Sequence, residues 1–183
     1  DVIVITLGTG VGGGVILDGK IRAGSMGCAG EIGHMTMDPE DTGAVCGCGG
    51  HGHLEQYASA TGIVRMAKKL LSESDVPSSL RGVENISAKT VFDHAKAGDA
   101  AALSLVDTLG RYLGRALSCV AAVVDPQVFV IGGGVSKAGD ILIEAVRRHY
   151  NTNIINALKG REFRLATLGN DAGIYGCARM LLD

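Results

Sequence analysis

The sequence has no tryptophan, and aromatic residues make up only 4% of its 183 positions. It also has no long apolar run, because the longest, at 120–124, is far shorter than the roughly 20 residues that cross a bilayer. Charged residues are 20% of the chain and leave a net charge of −2, so the positive field that nucleic-acid binding needs is absent. No charged and then apolar leader opens the chain. We therefore expect a cytoplasmic protein with neither a membrane nor a nucleic-acid partner.

Cysteine is sparse and unevenly placed. There are five cysteines, and Cys46 and Cys48 are separated by a single residue. Such close neighbours rarely form a disulfide with each other, and an odd number of cysteines does not suit a small secreted disulfide framework. We therefore interpret this pair as metal ligands.

Strands and helices alternate along the chain. The β-branched run at 2–7 predicts a strand bounded by a glycine loop at 8–14, and a second strand follows with a turn at Asp18-Gly19. Later patterns predict a helix at 54–71, helices capped by Ser87 and Asp99, a buried strand at 128–131, a helix at 141–150, a strand at 163–168 and a final helix at 171–183. This alternation predicts a single α/β domain rather than a bundle or a sandwich.

Two glycine turns follow predicted strands. At Gly8, Thr9 and Gly10 the backbone N–H groups can turn toward an anion, and the threonine adds a hydroxyl donor, so a phosphate cradle is one interpretation. The loop lacks the Gly-Lys-Ser/Thr of a Walker motif, and the alternative is a glycine-rich hairpin without a ligand. The second turn, at Gly132, Gly133 and Gly134, suits either a ligand crevice or close packing of a strand on a helix.

The densest group of metal-capable residues lies between residues 28 and 55. Four of them provide the imidazole and thiolate ligands of a tetrahedral structural zinc site, namely His34, Cys46, Cys48 and His53. Cys28 and His51 are close enough in sequence to replace one of these ligands. The alternative is a loop with free thiols and surface histidines.

Two carboxylates, Glu31 and Glu55, flank this group. They could accept hydrogen bonds from the hydroxyl groups of a polar ligand, or they could be solvated surface charges.

Together these segments resemble the ROK family of bacterial sugar kinases and sugar-responsive repressors. The resemblance rests on LGTGVGGG at 7–14, AGEIGH at 29–34, CGCGGHGHLE at 46–55, IGGGVS at 131–136 and AGIYGCA at 172–178. It implies an actin-like ATPase fold of the ribonuclease H-like type, with an inserted zinc-binding loop. It further implies that residues 1–183 form the larger C-terminal lobe of an ATP-dependent, glucokinase-like hexose kinase whose N-terminal lobe is absent from this chain.

The resemblance also implies roles for individual residues. Gly8, Thr9 and Gly10 would lie against the ATP phosphates, which Mg²⁺ accompanies, and Gly132 to Gly134 would approach the adenosine. Glu31, His34 and Glu55 would bind the sugar hydroxyls, with His34 also binding zinc through its other ring nitrogen.

The sequence departs from the family pattern at two points. His53 stands where a third cysteine is usual, so we expect a Cys2His2 zinc site. The family's catalytic aspartate would lie upstream of residue 1, so no residue of this chain is assigned as the catalytic base. We therefore expect this chain alone to be inactive.

Two other functions compete with the kinase. A sugar-responsive repressor would share the zinc loop and the sugar contacts, but repressors often lose phosphate-loop residues that this chain keeps. A zinc-stabilised binding module would leave the two glycine turns unexplained. The family resemblance also suggests a dimer or tetramer, and Gly110 and Gly114 could serve either a helix contact between subunits or the internal core.

Overall fold

A five-stranded mixed sheet forms the centre of the computed structural model, which describes residues 1–181. The strands are β1 (Val2–Leu7), β2 (Val11–Leu17), β3 (Lys20–Ile21), β4 (Val128–Gly132) and β5 (Glu162–Leu165). Their order is β3-β2-β1-β4-β5. The first three strands are antiparallel, whereas β4 lies parallel to β1 and β5 parallel to β4.

Six α-helices accompany the sheet within residues 1–181. They are α1 (Glu55–Ala58), α2 (Ala60–Glu73), α3 (Ala88–Lys96), α4 (Ala100–Val124), α5 (Asp140–Asn153) and α6 (Ala172–Met180). The Ser87 hydroxyl accepts from the Thr90 N–H to cap α3, and the Asp99 carboxylate accepts from the Ala102 N–H to cap α4. The predicted α/β class and both predicted caps are thus confirmed. No helix among the described residues is long and apolar enough to cross a membrane.

The core lies between the sheet and the helices α4 and α5. Ile3, Ile5 and Leu7 of β1 are buried, and so are Leu109 and Leu113 of α4. All five belong to one apolar cluster that also takes in residues of α5 and β4. Both strands of this cluster end at the glycine turns, β1 at Leu7 before the first turn and β4 at Gly132 in the second.

Gly110 and Gly114 let α4 approach α5 closely. A Cβ atom on Gly110 would lie 2.7 Å from the Ala145 Cβ, and one on Gly114 would lie 2.6 Å from the Val146 carbonyl oxygen. Real Cβ atoms do not approach so closely, so both glycines serve the internal packing of this chain.

Four predicted boundaries are wrong, and one is that of the strand predicted at 163–168, which ends at Leu165. Gly12, Gly13 and Gly14 lie within β2 rather than in a loop, so the loop is only Gly8–Gly10. The helix predicted at 54–71 is broken at Ser59, whose backbone is extended. The last helix ends at Met180, and positions 182–183 of the predicted helix lie outside the described residues.

Candidate active site

The loop Gly8–Gly10 joins β1 to β2, and the start of α2 supports it. The Ala60 N–H donates to the Gly8 carbonyl at 2.8 Å, and the Thr61 hydroxyl donates to the Thr9 carbonyl at 2.6 Å. The break at Ser59 makes these contacts possible because it lets α2 begin beside the loop. This role of Ser59 and Thr61 was not predicted from the sequence. Serine is a common helix N-cap, so Ser59 could have indicated that the predicted helix breaks there.

The segment 29–34 lies directly on β2. A Cβ atom on Gly13 would lie 2.4 Å from the Gly30 carbonyl oxygen, and one on Gly33 would lie 2.1 Å from the Val11 carbonyl oxygen. Only glycine allows the two backbones to approach so closely. This close contact holds the segment that carries Glu31 and His34 next to the loop.

A cleft of about 390 Å³ opens between these parts. Its lining includes Gly8 and Gly10 from the loop, Gly133 from the second turn, and the predicted sugar-binding side chains Glu31, His34 and Glu55. The structure therefore brings together residues separated by more than a hundred positions in the sequence. Both glycine turns contribute backbone to the lining, and its polar side chains are two carboxylates, an imidazole and the Thr6 hydroxyl.

Two other predicted nucleotide residues, Thr9 and Gly134, line two neighbouring clefts. Thr9 lines one with Thr61, Arg65 and Lys68. Gly134 lines the other, which has an apolar wall that includes Phe92 and a rim of lysines, Lys89, Lys96 and Lys137. Gly132 is the last residue of β4, and a Cβ atom on it would lie 3.1 Å from the Ala166 Cβ.

Gly133 fixes the second turn beside the first. Its φ of 86° is in the left-handed region that favours glycine, and a Cβ atom there would lie 2.5 Å from the Leu7 carbonyl oxygen. Since Leu7 ends β1, this contact holds the end of β4 against the start of the Gly8–Gly10 loop.

Glu55 lies between the loop and the cysteines. Its Oε1 accepts a hydrogen bond from the Cys46 thiol at 3.0 Å, and its Oε2 would lie 2.7 Å from a Cβ atom on Gly10. The pKa of the Cys46 thiol is raised to about 11, chiefly because the group is buried and also because the thiol donates a hydrogen bond to the Glu55 carboxylate. Glu55 is therefore in contact with both halves of the candidate site.

His34, Cys46, Cys48 and His53 come together as the sequence predicts. Their ligand atoms all lie within 4.8 Å of one another, and this group could hold a metal ion. The Cys46 Sγ is 3.6 Å from the His34 Nδ1, and the Cys48 Sγ is 3.5 Å from the His53 Nδ1. A tetrahedral zinc ion with ordinary Zn–S and Zn–N bonds requires about 3.6 Å between such atoms. The donor set and its spacing therefore fit zinc.

The two substitute ligands lie elsewhere. The His51 Nε2 faces the Pro39 carbonyl oxygen at 3.2 Å, and the Cys28 thiol donates to the Met26 carbonyl at 3.5 Å. The backbone explains why His53 rather than His51 lies in the cluster, because His51 pairs with Val45 in one β-bridge while His53 pairs with Thr36 in another.

His34 faces two ways. Its Nδ1 lies toward the Cys46 thiol, and its Nε2 is 3.7 Å from a carboxylate oxygen of Glu31 at the cleft. One imidazole thus borders both the metal-capable cluster and the cleft.

Comparisons with known proteins identify relatives of the whole chain. A profile of the ROK family matches residues 1–183. The chain is 47% identical over 180 residues to a glucokinase of Halalkalibacterium halodurans, and this match covers 96% of the chain and 54% of that relative. The chain spans about half the length of the curated relatives it matches.

Solved structures agree. A ROK family glucokinase from Streptomyces griseus, in complex with glucose and AMPPNP, matches with a TM-score of 0.87 and 36% identity over 98% of this chain and 60% of its own. A ROK family transcriptional regulator, a homologue of the E. coli MLC protein, matches with a TM-score of 0.80 and 30% identity over 90% of this chain and 41% of its own. The mixed sheet is thus that of the ROK kinases, which are actin-like ATPases. In sequence along its full length and in fold, the chain belongs to the ROK family.

Proposed function

We propose that this chain is the larger, C-terminal lobe of an ATP-dependent hexose kinase of the glucokinase type. The observation that carries the proposal is the cleft in which Glu31, His34 and Glu55 share one lining with Gly8 and Gly10. Hydroxyl-binding side chains thereby lie beside a backbone loop suited to phosphate, as the transfer of phosphate to a sugar requires. The glucokinases among the relatives support this assignment.

The three side chains suit a sugar. Ionised carboxylates accept hydrogen bonds only, so Glu31 and Glu55 would accept from two sugar hydroxyls, and the His34 Nε2 would bind a third. Charge-assisted hydrogen bonds of this kind are short and orient the ligand well. Glucose, phosphorylated at its 6-hydroxyl, is the substrate that we propose.

The reaction requires little covalent chemistry from the protein. The sugar hydroxyl oxygen attacks the γ-phosphorus, the bond from that phosphorus to the β–γ bridging oxygen breaks, and ADP leaves with the bonding electrons. The hydroxyl proton passes to a carboxylate base, which we place outside this chain on the strength of the family resemblance. Mg²⁺ would neutralise phosphate charge when bound with ATP. The chain's own contribution is to hold the hydroxyl and the phosphates in contact.

We assign the predicted nucleotide residues to the clefts that they border. The backbone of Gly8–Gly10 and the Thr9 hydroxyl would bind the phosphates. Gly134 would lie near the adenosine, where Phe92 provides an apolar wall, and its neighbour Gly133 would lie where the nucleotide meets the cleft lined by Glu31 and His34. Gly132 would act only by letting β4 end close to the ligand.

We further propose that His34, Cys46, Cys48 and His53 hold a structural zinc ion. With all four positions filled by protein, such an ion supplies rigidity rather than a Lewis acid. His34 would then bind the metal through Nδ1, and its Nε2 would be held toward the sugar. We also propose an oligomer, in which Gly110 and Gly114 take no part because α5 covers them.

The test is a coupled ADP-release assay on the full-length protein with glucose, mannose, fructose, allose and N-acetylated hexosamines. We expect ATP-dependent phosphorylation of glucose by the full-length protein and none by the 183-residue chain alone. Binding of a hexose without any ATP turnover in the full-length protein would contradict the kinase and favour the sugar-responsive repressor.

A further inference from the structure

Two tyrosines from different helices stack on each other behind the metal-capable cluster. Tyr57 of α1 and Tyr112 of α4 have ring centroids 3.9 Å apart and planes inclined by 14°. The Arg65 guanidinium lies 5.6 Å from the centre of the Tyr57 ring, and that of Arg111 lies 4.7 Å from the centre of the Tyr112 ring. Tyr57 is only 3% exposed. The pair is therefore a packed feature that orders both rings.

Both hydroxyl groups point at one turn of the chain. The Tyr57 hydroxyl donates to Asp41 Oδ2 at 2.7 Å, and the Tyr112 hydroxyl donates to Asp38 Oδ2 at 3.0 Å. The Asp41 N–H in turn donates to the Asp38 carbonyl at 3.2 Å. Hydrogen bonds to charged acceptors are about twice as strong as neutral ones. The tyrosine pair thus holds a single turn at two points.

This turn is bonded to the two limbs of the loop that carries the ligands. The Asp38 N–H donates to the Gly52 carbonyl at 3.1 Å, and Gly52 immediately precedes the ligand His53. The Ala44 N–H donates to the Asp41 carbonyl at 3.4 Å, two residues before the ligand Cys46. A shift of the turn would therefore displace His53 and Cys46 relative to each other.

Backbone hydrogen bonds within the loop, such as that from the Cys46 N–H to the Gly50 carbonyl at 2.8 Å, order it only in part. Residues 43–52 include five glycines, and an unliganded loop of that composition has many conformations available. Metal binding to a disordered ligand set must offset the loss of that freedom. A ligand set that is already held in place binds more tightly.

We propose that Tyr57 and Tyr112 are positioning residues that pre-organise the four metal ligands by holding the Asp38–Asp41 turn against α1 and α4. The inference rests on the zinc site of the proposed function. It predicts that the hydroxyl groups, rather than the rings alone, determine metal affinity. Groups that orient metal ligands typically contribute about 10- to 100-fold to affinity.

The test compares zinc dissociation constants, measured by competition with a chromophoric chelator, for the full-length protein and its Tyr57→Phe, Tyr112→Phe and double variants. Phenylalanine keeps the stack and removes only the hydroxyl. We expect about 10-fold weaker binding in each single variant and a larger loss in the double variant. Tyr150→Phe is the matched control, because its hydroxyl also donates to a fixed acceptor, the Leu158 carbonyl at 2.9 Å, but lies away from the loop.

A second measurement separates positioning from folding. Asp38→Ala should weaken zinc binding as Tyr112→Phe does, and combining the two changes should add little, since both remove the same hydrogen bond. Thermal melting of the metal-free proteins should show the Tyr112→Phe variant no less stable than Tyr150→Phe.

The outcomes are distinct. Zinc affinities of the Tyr57 and Tyr112 variants within twofold of the unchanged chain would overturn the inference and leave the zinc site standing. Absence of zinc binding in the unchanged chain would overturn both.

Discussion

Glu55 has its two carboxylate oxygens in different surroundings. One accepts from the Cys46 thiol and the other lies over Gly10 in the cleft. Glu55 therefore contacts both the metal-capable cluster and the Gly8–Gly10 loop. Its replacement is therefore the most informative single change in the candidate site.

We expect Glu55→Gln in the full-length protein to raise the KM for the hexose about 10- to 100-fold. The reason is the loss of a charged hydrogen-bond acceptor, which contributes about 1.5–3 kcal/mol. Steady-state kinetics with zinc content determined on the same samples checks this. Glu144→Gln, at an exposed position of α5, is the control and should leave the KM unchanged. An unaltered KM in the Glu55 variant would remove it from the sugar site.

Gly133 and its neighbour Gly134 offer a matched pair for the second turn. Gly133→Ala should lower the free energy of unfolding by at least about 1–2 kcal/mol, because a left-handed backbone disfavours a side chain and Leu7 occupies the space. A Cβ atom on Gly134 meets nothing within 4 Å, and its φ is not positive, so Gly134→Ala should change stability by less than about 0.5 kcal/mol. Urea denaturation of both variants decides the matter, and equal losses would contradict the close contact.

At the scale of elements, the helix starts could be predicted and the turns of the site only in part. Ser87 and Asp99 predict where α3 and α4 begin, because capping is a local interaction between a side chain and the first turn of the helix. The break at Ser59 also has a local cause, because the Ser59 side chain accepts from the Gly62 N–H, but the contacts of α2 with Gly8 and Thr9, about fifty positions away, belong to no local pattern. Likewise, the need for glycine at position 13 of β2 depends on Gly30, which packs on it.

The packing of α4 on α5 gives a prediction at this scale. Gly110→Ala should cost about 1–3 kcal/mol, because the added methyl group would overlap Ala145. Gly173→Ala in α6 is the control, since the space around that helical glycine is open and alanine favours a helix by about 1 kcal/mol. Thermal melting should therefore show opposite shifts for the two variants.

The same helix pair should show a pH dependence. Burial alone would raise the pKa of Asp107, but the hydrogen bond and charge of His149, together with Arg148, outweigh it and lower the pKa. A lowered carboxyl pKa stabilises the fold above the unfolded value of about 3.9, and this stabilisation disappears as the pH falls through the folded value.

Asp107→Asn should therefore reduce the free energy of unfolding at pH 7, by about 1 kcal/mol or less because the carboxylate is half exposed. The difference from the unchanged chain should begin to shrink as the pH falls below about 4 and should disappear only below the lowered pKa of Asp107. Denaturation between pH 3 and pH 7 checks this, with Asp93→Asn as a control that removes an ion pair within α3 alone. A difference that stays the same from pH 7 to pH 3 would mean that the aspartate acts through packing.

At the scale of the molecule, the loop with the metal-capable cluster lies outside the apolar core formed by β1, α4 and α5. Removal of zinc by a chelator should therefore leave the far-UV circular dichroism nearly unchanged. At a zinc concentration 1,000 times the Kd, the ion adds about 4 kcal/mol, so its removal should lower the Tm by roughly 8–16 °C. Loss of most helical signal on chelation would contradict a core independent of the metal.

The composition of the candidate site was predictable, whereas its internal geometry was not. The four metal-capable residues could be chosen from chemistry and spacing, because zinc restricts both the ligand types and their number. Tyr57 and Tyr112 gave no signal, since they are 55 positions apart and meet only after α1 packs on α4. The choice of His53 over His51 likewise depends on bridge pairing, which the sequence does not display.

The break at Ser59 has a consequence for the whole cleft. Glu55 precedes it and Thr61 follows it, so one stretch of seven residues contacts both the cysteine side of the cleft and the Gly8–Gly10 loop. An insertion or deletion within this stretch would rotate the start of α2. It would also change the distance between Glu55 and the residues that contact the Gly8–Gly10 loop. In homologous chains, residues 55–61 should therefore vary in their side chains while the length of this stretch remains constant.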